Sequence, residues 1–196
     1  MVPAIVLAAG ASFRMGSPKA LLRIGDETFV RRILGVLRDA GLPAAVVVAR
    51  PGQAGLAGEV AAAGFGRIIE NPRADEGQLS SLIAGLDAID QPDVEGALVT
   101  LVDVPCISTS VVSALLARMQ TSPAPVIRAV HNGAHGHPVI FRRVLFDRLR
   151  HADPAAGAKA VLRAVPVDDV EVHEPGITQD VDTPADYERL RGIVSR

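Results

Sequence analysis

The residues of this chain best suited to chemistry are charged and few: Arg14 and Lys19 near the start, Asp103 at the middle, Asp180 and Asp182 near the end. Arg14 and Lys19 fall in a loop of small residues that also holds Gly10 and Gly16. Such a loop can turn several backbone N–H groups toward one point and surround it with positive charge, which suits a polyphosphate. Two familiar phosphate loops are excluded. The P-loop needs Lys directly after its second Gly, but Gly16 is followed by Ser17, Pro18 and only then Lys19. The dinucleotide fingerprint needs three glycines in G-x-G-x-x-G spacing, and Ala8 stands where the first belongs. His131, His135 and His137 invite a zinc hypothesis, yet they lack the flanking carboxylates or cysteines of common sites, and a turn aims them apart. Cys106 has no base beside it and reads as a small packed side chain.

The elements that must position these residues alternate between strand and helix patterns along nearly the whole chain. That alternation predicts an α/β fold, a single domain with a mostly parallel twisted sheet and helices on both faces. Residues 5–9 are an apolar, partly β-branched run, the signature of a buried parallel strand, and Gly10 breaks it into the cationic loop. Thr28 caps a helix with Phe29, Ile33, Leu34 and Leu37 at helical spacing, which Gly41 and Pro43 end. Further strands are expected at 44–49, 67–70, 97–102, 126–130, 138–141 and 169–173. Helices are expected at 52–64, 79–89, from Ser108 or Thr109 to about 119, at 144–150, at 155–165 and from Pro184 onward. Residues 131–137 read as a Gly- and His-rich turn. Arg50 closes the second strand; with the first glycine of the fingerprint missing, it reads as a strand-end cation rather than a contact for the 2′-phosphate of NADP. Asp103 closes the most apolar strand, where open α/β sheets bind ligands, and Pro105 stiffens the turn that presents it. A buried carboxylate there is costly unless a cation pairs with it.

From Leu7 to Lys19 the pattern L-A-A-G-x-S-x-R-M-G-x-x-K resembles the signature loop of the MobA-like nucleotidyltransferases, in particular the molybdenum cofactor cytidylyltransferases. Three more segments follow in the family's order. Asn71-Pro72 with Gly77, Ser81 and Leu82 matches its N-P…G-x-x-x-S-L segment. Residues 136–141, Gly-His-Pro-Val-Ile-Phe, are similar to its G-H-P-V-L-F segment. Asp180-Val181-Asp182-Thr183-Pro184 matches D-x-D-T-P. The resemblance implies a Rossmann-like nucleotidyltransferase fold and transfer of CMP from CTP to molybdopterin with release of pyrophosphate. It implies Arg14 and Lys19 on the phosphates, Mg²⁺ on Asp103 and Asp182 with Asp180 the fallback, and Leu7, Ala8, Ala9, Gly10, Gly16, Ser80 and Ser81 around the nucleotide. His137 then lies by the second substrate. The Ala8-Ala9-Gly10 form of the loop is linked in the family to CTP, the Ala-Gly-Gly form to GTP.

Composition is compatible with this. Hydrophobic residues make up 48% of the 196 and aromatics 3%, so Ala, Val, Leu and Ile must fill the core. A formal charge of −2 gives no net attraction to nucleic acid or anionic membrane. One cysteine excludes an internal disulfide and fits a reducing compartment, and no apolar run reaches the ~18 residues of a membrane span. A cytoplasmic enzyme with a nucleoside triphosphate, a molybdopterin-type acceptor and a recipient molybdoenzyme or its chaperone as partners is the expectation. Competing readings are a GTP-using guanylyltransferase, a sugar-phosphate or methylerythritol-phosphate nucleotidyltransferase, a non-catalytic carrier of the cofactor, and an NADP-binding reductase. A carrier has no need of two cations and two carboxylates together, and the missing glycine counts against the reductase.

Overall fold

The computed structural model of the chain describes residues 1–10 and 16–194. Strand β1 (Ala4–Leu7) is buried at every position. A short antiparallel ribbon follows, β2 (Arg23–Ile24) and β3 (Glu27–Thr28). Helix α1 (Phe29–Asp39) leads to β4 (Ala45–Ala49), α2 (Leu56–Ala62) to β5 (Arg67–Glu70), and α3 (Gln78–Ile89) to β6 (Gly96–Leu101). After α4 (Thr109–Thr121) come β7 (Val126–His131) and β8 (Ala134–Arg142), then α5 (Phe146–Arg150), α6 (Gly157–Arg163), β9 (Val167–Glu171) and α7 (Pro184–Val194). Among the described residues, seven strands join in one sheet in the order β5-β4-β1-β6-β8-β7-β9. The first four are parallel; β8 runs antiparallel to β6 and β7, and β9 is parallel to β7.

The pleat of β1 explains why helices cover both faces. Ala4 and Val6 pack with α1, α2 and α4, while Ile5 and Leu7 pack with α3, α5 and α6. Thr28 starts α1 as the sequence predicts: its Oγ1 accepts from the Arg31 N–H at 3.4 Å and donates to Glu59 Oε2 at 2.7 Å, so the cap also ties α1 to α2. Gly41, at φ +81°, ends it. From β1 the chain moves outward to β4 and β5, then returns to the other side of β1 for β6. That reversal leaves a crevice at the carboxyl ends of β1, β4 and β6, the place where open α/β sheets take ligands.

Two sequence expectations shift. The turn expected over 131–137 is only Asn132-Gly133, both at positive φ, and β8 begins at Ala134, so Gly136 and His137 lie within a strand. Asn-Gly closes a two-residue hairpin whose twist suits the sheet, and it pairs His131 with Ala134. The late strand lies at Val167–Glu171 rather than 169–173, and the β2–β3 ribbon is additional.

Helix α3 approaches the sheet through a glycine. A Cβ on Gly85 would sit 2.6 Å from Ile5 Cγ2 and 3.2 Å from Val48 Cγ2. Both neighbours are fully buried β-branched side chains that have little room to yield. Gly85→Ala is therefore expected to destabilise by roughly 1–3 kcal/mol despite the better helix propensity of alanine, the range for overpacking a core. Equilibrium urea unfolding checks this; an unchanged or raised midpoint contradicts it.

Candidate active site

Lys19 is the meeting point of three segments far apart in sequence. It opens a single 3-10 turn, Lys19–Leu21, and its Nζ donates to Asp103 Oδ2 at 3.0 Å and to Asp182 Oδ1 at 2.5 Å. The lysine side chain is 14% exposed, that of Asp103 24% and that of Asp182 41%. Burial works against the ammonium charge, but the hydrogen bonds with Asp182 and Asp103 outweigh it and hold Lys19 above the ordinary lysine range. Lys19 is thus a full cation at any physiological pH. Asp103 Oδ1 is buried without a hydrogen-bond partner among the described residues.

Backbone contacts hold the second carboxylate in place. The Val181 N–H donates to the Asp103 carbonyl at 2.8 Å, so 180–183 lie along the end of β6. A Cβ on Gly176 would run into the Cys106 carbonyl, and one on Gly136 into the Ile177 carbonyl; both glycines permit chain to lie directly on chain. Thr183 and Asp186 then cap α7 reciprocally: the Thr183 N–H and hydroxyl donate to Asp186 Oδ2 at 2.9 and 2.7 Å, and the Asp186 N–H donates back to Thr183 Oγ1 at 3.2 Å. These bonds hold the Asp186 carboxyl below the usual carboxylate range. Helix α7 is pinned to β2 by the Tyr187 hydroxyl, which donates to the Arg23 carbonyl at 2.8 Å. Of the two carboxylates in D-x-D, the one brought to Lys19 is Asp182; Asp180 is exposed.

A cavity of about 400 Å³ opens over this cluster, lined by Leu7, Ala8, Ala9 and Gly10 on one side and Asp103 and Asp182 on the other, with Gly77, Gln78 and Ser81 completing the wall. Asn71 builds that wall. Its Nδ2 donates to Ser80 Oγ at 2.9 Å and Ser81 Oγ at 3.1 Å, while its Oδ1 accepts from the Arg73 N–H at 2.9 Å. Ser80, turned inward, spends its hydroxyl on the Arg73 and Gly77 carbonyls, both at 2.8 Å, and does not line the cavity; Ser81 does. Gly16 stands outside the lining, and Arg14 lies outside the described residues.

A second cavity, about 390 Å³, shares Leu7, Gln78 and Leu101 with the first. Its walls are largely apolar, with Leu79, Leu82, Val139 and Phe141 prominent, and Arg128 and Lys159 supply positive charge. His137 lines this cavity and not the first. Burial pushes its imidazole below the usual value, against the hydrogen bond with the Val99 backbone and the charges of Asp103 and Asp180. A neutral ring that donates to the Val99 backbone has a bare nitrogen left, and Nδ1 is buried without a partner among the described residues. The other histidines are dispersed: His131 Nδ1 meets the Val172 carbonyl at 2.8 Å, and His135 faces Asp169 at 3.7 Å.

Among the residues lining the first cavity that the sequence does not assign to the site, Arg50 is the charged one; from sequence it reads as a strand-end cation. Its Nε donates to the Ala9 carbonyl at 2.8 Å and its NH1 to Asp75 Oδ1 at 2.7 Å. Its position at the end of a strand was visible in the sequence; that this strand lies next to β1 was not. Burial raises the Cys106 thiol above its ordinary value despite the charge of Arg32.

The arrangement can bind an anion between a lysine and backbone donors. Its donor set also fits a hard divalent cation: two carboxylates, one with a buried unshared oxygen. Among the described residues no group of three or more His, Cys, Asp or Glu could hold a metal alone, so waters or oxygens of a bound phosphate would complete the shell.

Comparison with known proteins identifies the family. The family described as "MobA-like NTP transferase domain" matches residues 4–171. A Mycobacterium avium protein named "Probable molybdenum cofactor guanylyltransferase" is 30% identical over 95% of this chain and 93% of its own. The crystal structure of a Mycobacterium tuberculosis Rv0371c homologue from Mycobacterium sp. strain JC1 is 31% identical, covers 100% of this chain and 97% of its own, and superposes with a TM-score of 0.79. The structure of Rv0371c from Mycobacterium tuberculosis H37Rv in complex with manganese is 25% identical, covers 97% and 98%, and gives 0.78. The chain belongs to the MobA-like NTP transferase family and is a nucleotidyltransferase.

Proposed function

We propose that this nucleotidyltransferase moves CMP from CTP onto the phosphate of a molybdopterin-type acceptor, with Mg²⁺ held by Asp103 and Asp182. The observation that carries the reading is the convergence of Lys19, Asp103 and Asp182 beneath one cavity that shares Leu7, Gln78 and Leu101 with a second, more apolar one. An oxygen of the acceptor phosphate bonds to the α-phosphorus of the nucleotide as the bond from that phosphorus to the bridging oxygen breaks. The electron pair leaves with pyrophosphate. Both reactants are anions, so the protein's work is to offset repulsion and hold the attack in line, and it supplies no nucleophile. Lys19 and Arg14 are the residues assigned to the phosphates. Mg²⁺, when bound, would neutralise phosphate charge and polarise the phosphoryl oxygens. The β1 loop and Ser81 face the nucleotide, and His137 Nδ1 accepts an N–H from the acceptor's ring system.

CTP is favoured by Ala8-Ala9-Gly10. Use of GTP is the second reading, supported by the guanylyltransferase name of the Mycobacterium avium relative. Thermal shifts with each of the four triphosphates and Mg²⁺, with and without molybdopterin, separate the two. A recipient molybdoenzyme or its chaperone would take the product.

Lys19→Ala is expected to lower kcat by roughly 10²–10³, the loss for one well-aimed electrostatic donor. Asp103→Asn and Asp182→Asn should abolish turnover while the fold persists, and Asp180→Asn should have little effect. Steady-state assays with circular dichroism as the folding control check the ranking; Asp180 outranking Asp182 would transfer the second ligand to it. His137→Ala should raise KM for the acceptor roughly 2–10-fold, the worth of one neutral hydrogen bond, and leave CTP affinity unchanged. Equal losses for both substrates with a lowered Tm would instead mean that His137 only braces β8.

A further inference from the structure

Arg50 has no role in the reaction as proposed, yet it lines the nucleotide cavity. It stands at the end of β4, whereas Asp103 follows β6, and β1 lies between them. Two strand spacings put these ends about 10 Å apart. A nucleotide laid across the strand ends with its phosphates at Lys19 and the carboxylates would extend its base toward Arg50.

The geometry points to Arg50 as a specificity-determining residue that selects a nucleobase with two adjacent hydrogen-bond acceptors; the inference rests on the nucleotidyltransferase reading of this cavity. The guanidinium is anchored rather than loose. Nε donates to the Ala9 carbonyl, NH1 donates to Asp75, and the NH2 group makes no hydrogen bond among the described residues. The Ala9 contact also fixes it against the residue that precedes Gly10. A planar fork of donors is matched by paired acceptors. Guanine offers O6 beside N7, and cytosine offers O2 beside N3. Adenine places an amino group beside its ring acceptors on the edges away from the sugar, and uracil places an N–H donor between its two oxygens. Arg50 therefore favours the cytosine and guanine triphosphates over those of adenine and uracil, whichever of the first two is the natural donor.

Isothermal titration of all four triphosphates with Mg²⁺ tests this on the wild-type chain, Arg50→Lys and Arg50→Met. The wild type should bind CTP or GTP at least ~10-fold tighter than ATP and UTP, the discrimination given by a bidentate pair. Arg50→Lys keeps the charge but loses the fork, so that preference should shrink toward parity while ATP and UTP affinity stays the same. Loss of affinity for all four triphosphates alike in Arg50→Met, with Arg50→Lys unimpaired, would make Arg50 a phosphate contact and overturn the inference. Unchanged preferences in both variants would reduce it to a brace between Ala9 and Asp75 and overturn it too. A wild type that binds triphosphates without preference removes the inference alone; one that binds none removes with it the reading of this cavity as the nucleotide site.

Discussion

One ammonium shared by two carboxylates is the constraint around which this molecule is arranged. Lys19 comes from the first loop, Asp103 from the end of β6 and Asp182 from the segment before α7, and Lys19 Nζ reaches both carboxylates at hydrogen-bond distance. Two partly buried carboxylates so close together repel each other, and the cost is tolerable only while a cation sits between them. The cluster is therefore a region of concentrated charge that fixes the relative position of both chain ends. The cap on α7 and the Tyr187 contact with β2 follow from the need to deliver Asp182 there.

The crevice at the carboxyl ends of the parallel strands is divided rather than single. Leu7, Gln78 and Leu101 stand between a cavity whose far wall is charged and one whose walls are mostly apolar. The division follows from topology. The parallel half of the sheet ends in loops rich in backbone donors and carboxylates, while the antiparallel pair β7–β8 and helix α6 contribute aliphatic side chains and Phe141.

The parallel core was legible because a short, β-branched apolar run such as Ile5-Val6-Leu7, broken by Gly10, fits a strand covered on both faces, and the loop after it carries its own signature. Asp103 was legible from its position at the end of the most apolar strand. Other parts were not. Strands β2 and β3 are two residues each, too short to show a period, and they form because the chain must double back between Lys19 and α1. The Asn132-Gly133 signal was present but was submerged in a stretch read as a turn for its glycines and histidines. Ser80 and Ser81 are adjacent in sequence and 100° apart on a helix, so only packing decides that one serves the loop and the other the cavity. Arg50 needed the sheet order, since nothing local reveals that β4 lies against β1.

The hydrogen bond from Val181 to the Asp103 carbonyl has a dynamic consequence. Residues 180–183 carry no regular secondary structure, and such coil normally opens on its own, far more readily than the core. Here Val181 is 2% exposed, and its amide is spent on the residue that follows a central strand. To free that amide, the coil must lift off β6 and take Asp182 from Lys19 with it. The loop bearing the second carboxylate thus belongs to the cooperative unit of the sheet, and its amide exchanges with solvent on the slow timescale of that unit rather than the fast one of surface loops.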